Sequence, residues 1–283
     1  MSENVQPRRV VAWYSHGAAS AVATKMALVK YGPEVVIACI DTSSEHPDNE
    51  RFRAECEAWF DHPIVMVRSQ EYADIFDVFD RTGYLVGPAG ARCTTELKKR
   101  VRWAFERPDD LHIWGYTIEE QARAKRFVDQ NPGVESWFPL VDAGLGKGEC
   151  LAIIERAGIA LPEMYRLGYR NNNCLGCVKG GMGYWNKIRR DFPEVFDRMA
   201  RQERKMGRTV LRESVDDGPG YWVTHEDDDE PTWYQPKKSV PLWLDELDPE
   251  RGRYEAEDIA CGPVCVTVEQ TFTDTPVTIG RVA

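Results

Sequence analysis

The chain has 283 residues, a formal net charge of −10 and a pI near 5.2. The hydrophobic fraction of 42% is ample for a packed core. The acidic charge argues against broad, non-specific nucleic-acid binding, which depends on neutralising phosphates with Lys and Arg. No stretch approaches the roughly 20 apolar residues of a membrane span, and the start MSENVQPRRVV has no apolar signal core. We therefore expect a cytoplasmic protein without a membrane partner.

Short apolar runs alternate with helical segments through the first part of the chain. Such runs predict buried strands at 9–14, 35–40, 64–67 and 111–116. Helical composition predicts helices at 21–32, 48–60, 71–81, 94–105, 119–127, 149–158 and 184–206. Strands alternating with helices indicate right-handed, parallel βαβ units. The predicted fold is therefore α/β, with a Rossmann-like, doubly wound, mainly parallel sheet.

The sequence changes character near residue 213. Acidic loops, prolines and short aromatic pieces replace the alternating pattern from there onward. We predict an α/β nucleotide-binding domain over residues 1–212, followed by a C-terminal appendage with short strands over 213–283.

The first strand leads into the loop Ser15-His-Gly-Ala-Ala-Ser20 and then into a helix. The small residues Gly17, Ala18 and Ala19 leave backbone N–H groups uncovered, and a helix N-terminus carries a partial positive charge. The side chains of Ser15, His16 and Ser20 add hydrogen-bond donors. The composition predicts a phosphate site, although many small βα turns bind nothing.

Polar and small residues also follow the second and fourth predicted strands. Asp41 and Thr42 follow the second strand, while Gly115 and Tyr116 end the fourth, with Arg123 shortly afterwards. Ligands of open parallel sheets sit at the carboxyl ends of the strands. We therefore expect these five residues to face the same crevice as the first loop.

Four segments carry a resemblance to the phosphoadenosine phosphosulfate reductase family. SHGAAS resembles the modified PP-loop of the adenine nucleotide α-hydrolase superfamily, and DTSSEHP resembles its acidic motif. ARCTTELKKR resembles the family's CCxxRKxxP segment, and GYTIEEQAR is similar to its GxRxxES/QxxR segment. The resemblance covers roughly residues 9–200, with the motifs in the family's order.

The resemblance implies an adenine nucleotide as substrate, either adenosine 5′-phosphosulfate or its 3′-phosphorylated form. Ser15, Gly17, Ala18 and Ser20 would hold phosphate or sulfate oxygens, Asp41 would lie near the nucleotide, and Arg123 would bind an anion. Two features depart from the pattern. The lysine of the SGGKDS form is absent, and the C-terminal ECGIH-type motif is echoed only by Cys261-Gly262.

Five cysteines suggest a metal site or a reactive thiol. Cys174-Leu-Gly-Cys177 presents two thiolates on a Gly-rich turn, which suits zinc or an iron–sulfur cluster. A redox pair or a structural turn stays open. Between Cys93 and Cys174 lie 80 intervening residues, and this spacing resembles the iron–sulfur subset of sulfonucleotide reductases. We predict a [4Fe–4S] cluster in preference to zinc, with Cys265 or Cys261 as fourth ligand.

Basic residues follow Cys93 at Lys98, Lys99 and Arg100. A concentrated basic pocket in an acidic protein would attract a polyanionic small molecule. These three residues are predicted to bind anions, although an ordinary solvated helix face would show the same pattern.

Three functions fit the sequence. The first is a sulfonucleotide-reductase-like enzyme in which Cys261 or Cys265 attacks sulfur and a thiol serves as reductant. The second is an ATP-dependent, cluster-dependent thiolation enzyme acting on a nucleobase or nucleic acid. The third is a nucleotide-binding module without catalysis.

Overall fold

The computed structural model describes residues 8–223, 232–260 and 262–273. Within these ranges the strands are β1 (Val10–Tyr14), β2 (Val36–Asp41), β3 (Ile64–Arg68), β4 (Val86–Gly87), β5 (Gly90–Ala91), β6 (Leu111–Ile113), β7 (Ser136–Trp137), β8 (Leu211–Asp216), β9 (Tyr221–Val223), β10 (Thr232–Tyr234) and β11 (Lys237–Leu242).

The α-helices of the same ranges are α1 (Ala18–Tyr31), α2 (Asn49–Phe60), α3 (Ile75–Thr82), α4 (Arg100–Phe105), α5 (Gln121–Gln130), α6 (Pro139–Ala143), α7 (Lys147–Arg156), α8 (Glu163–Arg166), α9 (Met182–Asp191), α10 (Pro193–Met206) and α11 (Pro263–Thr273). A π-helical segment over Thr94–Lys99 precedes α4. No helix in the described part of the chain has the length and apolarity needed to cross a membrane.

The central sheet has five strands in the order β3-β2-β1-β6-β7, and all of its neighbouring strands pair in parallel. The predicted Rossmann-like α/β fold is therefore confirmed. All four predicted strands are present. The fifth, β7, was not predicted because its two residues, Ser136 and Trp137, form no apolar run.

The strand order changes direction at β1. The chain adds β2 and β3 on one side of β1, and then β6 and β7 on the other. Open α/β sheets bind ligands in the crevice at such a switch point, outside the carboxyl ends of the strands. The topology therefore predicts a ligand site beside the residues that follow β1 and β6.

The sheet core is closed on one face by α1, α7 and α11. The buried face of α1 consists largely of small residues, including Ala18, Ala21, Val22 and Ala27. Small side chains allow close approach of neighbouring helices, and α7 packs directly on α1. Their packing fixes the first residues of α7 relative to the first residues of α1.

The chain divides into two compact units, which differ from the predicted domains. The first contains the described parts of 1–75, 95–174 and 255–283, and the second contains those of 76–94 and 175–254. The predicted boundary near residue 212 followed composition. The structure instead returns the chain to the first unit after residue 254, because α11 buries Cys265 and Val268 in its core.

Among the described residues, the second unit contains α9, α10 and three antiparallel strand pairs, β4–β5, β8–β11 and β9–β10. The single helix predicted over 184–206 is two helices, since Pro193 begins α10 and α9 ends at Asp191. Proline lacks the N–H that a continuous helix requires. On β9–β10, Trp222 pairs with Trp233 and Tyr221 with Tyr234 across the strands.

Candidate functional site

A cavity of about 590 Å³ opens at the switch point of the sheet. This volume is typical of small-molecule sites. The loop after β1 forms one wall, and the residues after β6 form a second. Further lining comes from α7, α8, the segment around Asn171–Asn173 and the segment that precedes α11; its residues are Lys147, Tyr165, Asn171, Asn172, Asn173 and Glu257. The end of β2 and the basic segment before and within α4 also contribute, through Ile40, Glu45, Lys98, Lys99 and Arg102.

The loop after β1 turns sharply at His16. This residue has a φ of 56°, in the left-handed region that non-glycine residues seldom adopt. The His16 carbonyl accepts a hydrogen bond from Asn172 Nδ2 at 2.7 Å. The turn directs the following residues into α1, and Ala21 N–H donates the first helical hydrogen bond to Gly17 O at 3.0 Å.

Ser20 fixes the shape of the loop through three hydrogen bonds. Its hydroxyl donates to Gly17 O at 2.8 Å and accepts from Ser15 N–H at 3.0 Å and from Ser15 Oγ at 3.2 Å. A hydroxyl has one proton and two lone pairs, so these bonds use its full capacity. Ser15 is exposed, and its hydroxyl can turn from Ser20 toward a ligand.

Gly115 holds the residues after β6 against the start of α1. A Cβ at Gly115 would lie 2.6 Å from Ser20 Cα and 2.8 Å from Ser20 N. Both are backbone atoms that cannot swing away. Only glycine permits this approach, which joins the two walls of the cavity.

Tyr165 lies at the N-terminus of α1. Its hydroxyl would be 3.3 Å from a Cβ built on Gly17, and it accepts hydrogen bonds from the backbone N–H groups of Asn172 and Ala18. Burial raises the pKa of Tyr165 to about 12, so the phenol stays protonated. One N–H of the α1 N-terminus is thus satisfied by a neutral hydroxyl oxygen.

Lys147 is the first residue of α7 and extends into the cavity. Its ammonium group donates to Arg170 O and, at 2.7 Å, to Asn171 Oδ1. A carboxylate oxygen of Glu257 is 3.7 Å away. Burial lowers the pKa of Lys147, and the charge of Glu257 opposes that shift.

Aromatic rings form the wall between β1 and β6. Trp13 and Trp114 stack with ring centres 6.0 Å apart, and Tyr116 follows Trp114 at 6.3 Å. All three residues line the cavity. Arg102 lies over the Trp114 ring at 5.6 Å, and Arg123 lies over the Tyr116 ring at 4.5 Å. The wall therefore combines aromatic rings with two guanidinium groups that lie over them.

His112 supports this wall from the buried side. Its Nδ1 accepts a hydrogen bond from Trp13 Nε1 at 2.9 Å, which requires an unprotonated nitrogen. Burial lowers the pKa of His112 to about 4. The imidazole is thus neutral at pH 7 and orients the indole of Trp13.

The end of β2 carries a polar cluster that includes Cys174. Thr42 Oγ1 donates to Glu45 Oε1 at 2.8 Å, and Cys174 Sγ lies 3.1 Å from the same hydroxyl. The ammonium of Lys98 is 4.0 Å from Glu45. Asp41 accepts a hydrogen bond from Ser43 N–H at 2.7 Å, which shapes the turn after the strand.

The cavity brings together many of the residues predicted from the sequence. Its lining includes Ser15, Gly17, Ala19, Ser20, Gly115, Tyr116, Arg123, Lys98 and Lys99. The predicted residues that are not part of the lining are His16, Ala18, Asp41, Thr42 and Arg100. The roles of both groups as ligand contacts stay predictions.

The side chains of two of the residues outside the lining make their contacts away from the cavity. The His16 ring is buried, with its nitrogens 3.6 and 3.7 Å from Cys39 Sγ, and burial lowers its pKa. It therefore faces the core rather than an anion. Arg100 pairs with Glu96 at 3.1 Å and Glu71 at 3.6 Å, in a separate groove.

The predicted cluster ligands do not form a metal site among the described residues. No group of three or more His, Cys, Asp or Glu side chains in that part of the chain is placed to hold a metal ion. Cys174 belongs to the first unit, and Cys93 and Cys177 belong to the second. Cys261 lies outside the described residues. The predicted cluster and its ligands stay a prediction.

Cys265 belongs to α11 and is fully buried against α7. Its thiol contacts the Arg156 guanidinium and lies 3.8 Å from Glu149 O. The residues on either side of Cys261 also reach α7: Ala260 N–H bonds to Gly148 O at 3.4 Å, and a Cβ on Gly262 would lie 2.7 Å from Glu149 Oε1. The roles predicted for both cysteines stay predictions.

Sequence reasoning missed Lys147, Tyr165 and Glu257 as cavity residues. None lies in a recognisable motif, and each reaches the cavity through tertiary packing. In the sequence, Asn171–Asn173 were identified only as the start of the cysteine segment. Their polar side chains were the signal that they could also line a ligand cavity.

No family model matches the chain, and no curated protein matches it. Among solved structures, it is similar to the phosphate complex of phosphoadenylyl-sulfate (PAPS) reductase from Candida auris. That similarity has 14% sequence identity and a TM-score of 0.45, over 60% of this chain and 82% of the other.

Proposed function

We propose that this chain binds an adenine nucleotide of the phosphosulfate class in the switch-point cavity. The observation that carries the proposal is the segment Ser15–Ser20, which comprises the turn after β1 and the first residues of α1 and opens directly into that cavity. Ligands are expected at this place in the topology, and a helix N-terminus favours an anion there.

The phosphate or sulfate would lie against the start of α1. Gly17 and Ala19 line the cavity without a bulky side chain, and the first N–H groups of a helix have no intrahelical acceptor. Ser15 adds an exposed hydroxyl. An anion would compete with the Tyr165 hydroxyl for the N–H of Ala18, and a charged acceptor forms the stronger hydrogen bond.

The adenine base would stack on the aromatic wall. Trp13, Trp114 and Tyr116 line the cavity, and base–aromatic stacking contributes about 1–3 kcal/mol per base. Lys98, Lys99 and Arg102 also line the cavity and would attract the negative charge.

The chemistry proposed for the bound nucleotide is thiol-dependent reduction. A cysteine thiolate would attack the sulfate sulfur, the sulfur–oxygen bond to the nucleotide phosphate would break, and the nucleoside phosphate would leave. A second thiol would then attack the cysteine sulfur, releasing sulfite and forming a disulfide, which a thiol reductant would reopen. Of the two C-terminal cysteines, Cys265 is paired with Arg156 in the core, which favours Cys261 as the attacking thiol.

Sulfite release tests this reaction. The wild type should release sulfite from adenosine 5′-phosphosulfate or its 3′-phosphorylated form when a dithiol is supplied. Cys261→Ala should abolish release, whereas Cys265→Ala should retain it. Absence of turnover with both nucleotides would count against reductase chemistry while leaving nucleotide binding to be judged separately.

One observation favours the ATP-dependent alternative. No cysteine belongs to the lining of the cavity among the described residues, so the site fits adenylation as readily as thiol attack. A thiolation enzyme would release AMP or pyrophosphate from ATP, with stimulation by RNA or DNA. Nucleotide binding without turnover in either assay would support the non-catalytic module.

A further inference from the structure

Lys147 lies in an environment that destabilises a positively charged side chain. The residue opens α7, where the helix dipole disfavours a positive charge. Only 18% of its side chain is exposed, and burial lowers its pKa. A polar or apolar residue at this position would begin the helix at lower cost, so the fold alone does not account for a lysine.

Helix packing places Lys147 next to the predicted anion site. Because α7 packs on α1, the first residues of both helices reach the same cavity. Tyr165 lies between them: its hydroxyl is at Gly17, and its ring centre is 5.9 Å from Lys147 Nζ. The ammonium group is thus one side chain away from the start of α1.

The loop itself supplies no cation. Ser15–Ser20 contains no Lys or Arg, and the His16 ring is buried against Cys39 with a lowered pKa. An anion at the loop would meet only backbone dipoles and hydroxyl groups there. Lys147 is the cavity lysine that lies beside Tyr165 and hence beside the loop.

The present partners of Lys147 leave room for such an anion. Arg170 O and Asn171 Oδ1 are neutral acceptors. The nearest carboxylate is that of Glu257, which also lines the cavity and is 3.7 Å from the ammonium; the charge of Glu120 acts on Lys147 more weakly. That separation exceeds a normal hydrogen bond, so a ligand oxygen could take the third donor without breaking a close contact.

We propose that Lys147 binds the anionic phosphate or sulfate group of the nucleotide, and that Glu257 competes with that group for the ammonium. The proposal rests on the nucleotide-binding function above and adds the cation that the loop lacks. It predicts that Lys147 affects the affinity for the anion and leaves affinity for an uncharged nucleoside unchanged.

Calorimetric titrations with AMP, adenosine 5′-phosphosulfate and adenosine test the proposal. Lys147→Met keeps the length and apolar packing of the side chain, and it should weaken AMP binding about 10- to 100-fold, the effect of losing a charge-assisted hydrogen bond. Adenosine binding should not change. Glu257→Gln should tighten AMP binding several-fold, and Lys147→Arg should bind AMP more tightly than Lys147→Met.

Lys30→Met is the matched control, because Lys30 is exposed in the last turn of α1 and is not part of the cavity lining. Thermal unfolding of each variant reports whether it folds, and Glu257→Gln gives an independent readout if Lys147→Met does not. Equal AMP affinity in the wild type and Lys147→Met, or weaker AMP binding in Glu257→Gln, would overturn the role proposed for Lys147 but not the proposed nucleotide-binding function. Failure of the wild type to bind any of the nucleotides would overturn the proposed function and this inference together.

Discussion

Replacing Gly115 with alanine is expected to damage the cavity from a position that carries no functional side chain. The new Cβ would lie 2.6 Å from Ser20 Cα, 2.8 Å from Ser20 N and 3.1 Å from the carbonyl carbon of Ala19. Ordinary carbon–carbon contacts begin near 3.5 Å. The two backbones would therefore have to separate by about 1 Å to reach an ordinary contact distance.

The separation should affect both stability and binding. Inserting a methyl group into a close-packed site typically costs about 1–3 kcal/mol, and the cost here falls on the backbone of the first turn of α1. Because the same turn is proposed to hold the anion, nucleotide affinity should fall by at least tenfold. This change corresponds to a loss of about 1.4 kcal/mol in binding free energy. Urea unfolding measures the first effect, and titration with AMP measures the second.

Gly133→Ala is the control for this substitution. A Cβ at Gly133 would have no atom within 4 Å, so stability and affinity should stay near those of the wild type. If Gly115→Ala matched Gly133→Ala in both measurements, the close contact between the segment after β6 and the start of α1 would be contradicted.

Three further predictions concern the aromatic wall, acid stability and the metal. Trp114→Leu should weaken AMP binding by about 1–3 kcal/mol through lost stacking, and unchanged affinity would place the base elsewhere. The lowered pKa of His112 means that the unfolded chain binds more protons between about pH 6.5 and 4, so stability should fall by about 2 kcal/mol from pH 7.5 to pH 5. His112→Asn should lose this part of the pH dependence in urea unfolding, whereas His62→Asn should keep it. Anaerobic purification should yield about four irons per chain if the predicted [4Fe–4S] cluster forms, with iron lost in Cys174→Ala; a wild type that binds no iron after reconstitution would remove the cluster.

The sequence allowed prediction of the sheet and of much of one cavity wall because both depend on local patterns. The apolar run Val10–Tyr14, the small residues after it and the helical composition of α1 are adjacent in the chain. Gly115 and Tyr116 were predictable as residues at a strand end, where parallel sheets present their ligands.

The opposite wall depends on contacts between residues distant in sequence. Tyr165 reaches the start of α1 from more than a hundred residues away, and Glu257 approaches Lys147 from the segment before α11. No spacing rule connects such positions. The His16 ring could be assigned either to a ligand or to the core, and only the left-handed turn at His16 sends it toward Cys39.

Photolabelling with 8-azido-AMP, followed by mapping of the labelled peptides, tests the nucleotide site most directly. We expect labelling of residues in the aromatic wall, within 10–20 or 112–123, and loss of that labelling when unmodified AMP is added. Labelling that AMP does not compete, or labelling confined to the exposed aromatic strands β9 and β10, would contradict a nucleotide site at the switch point of the sheet.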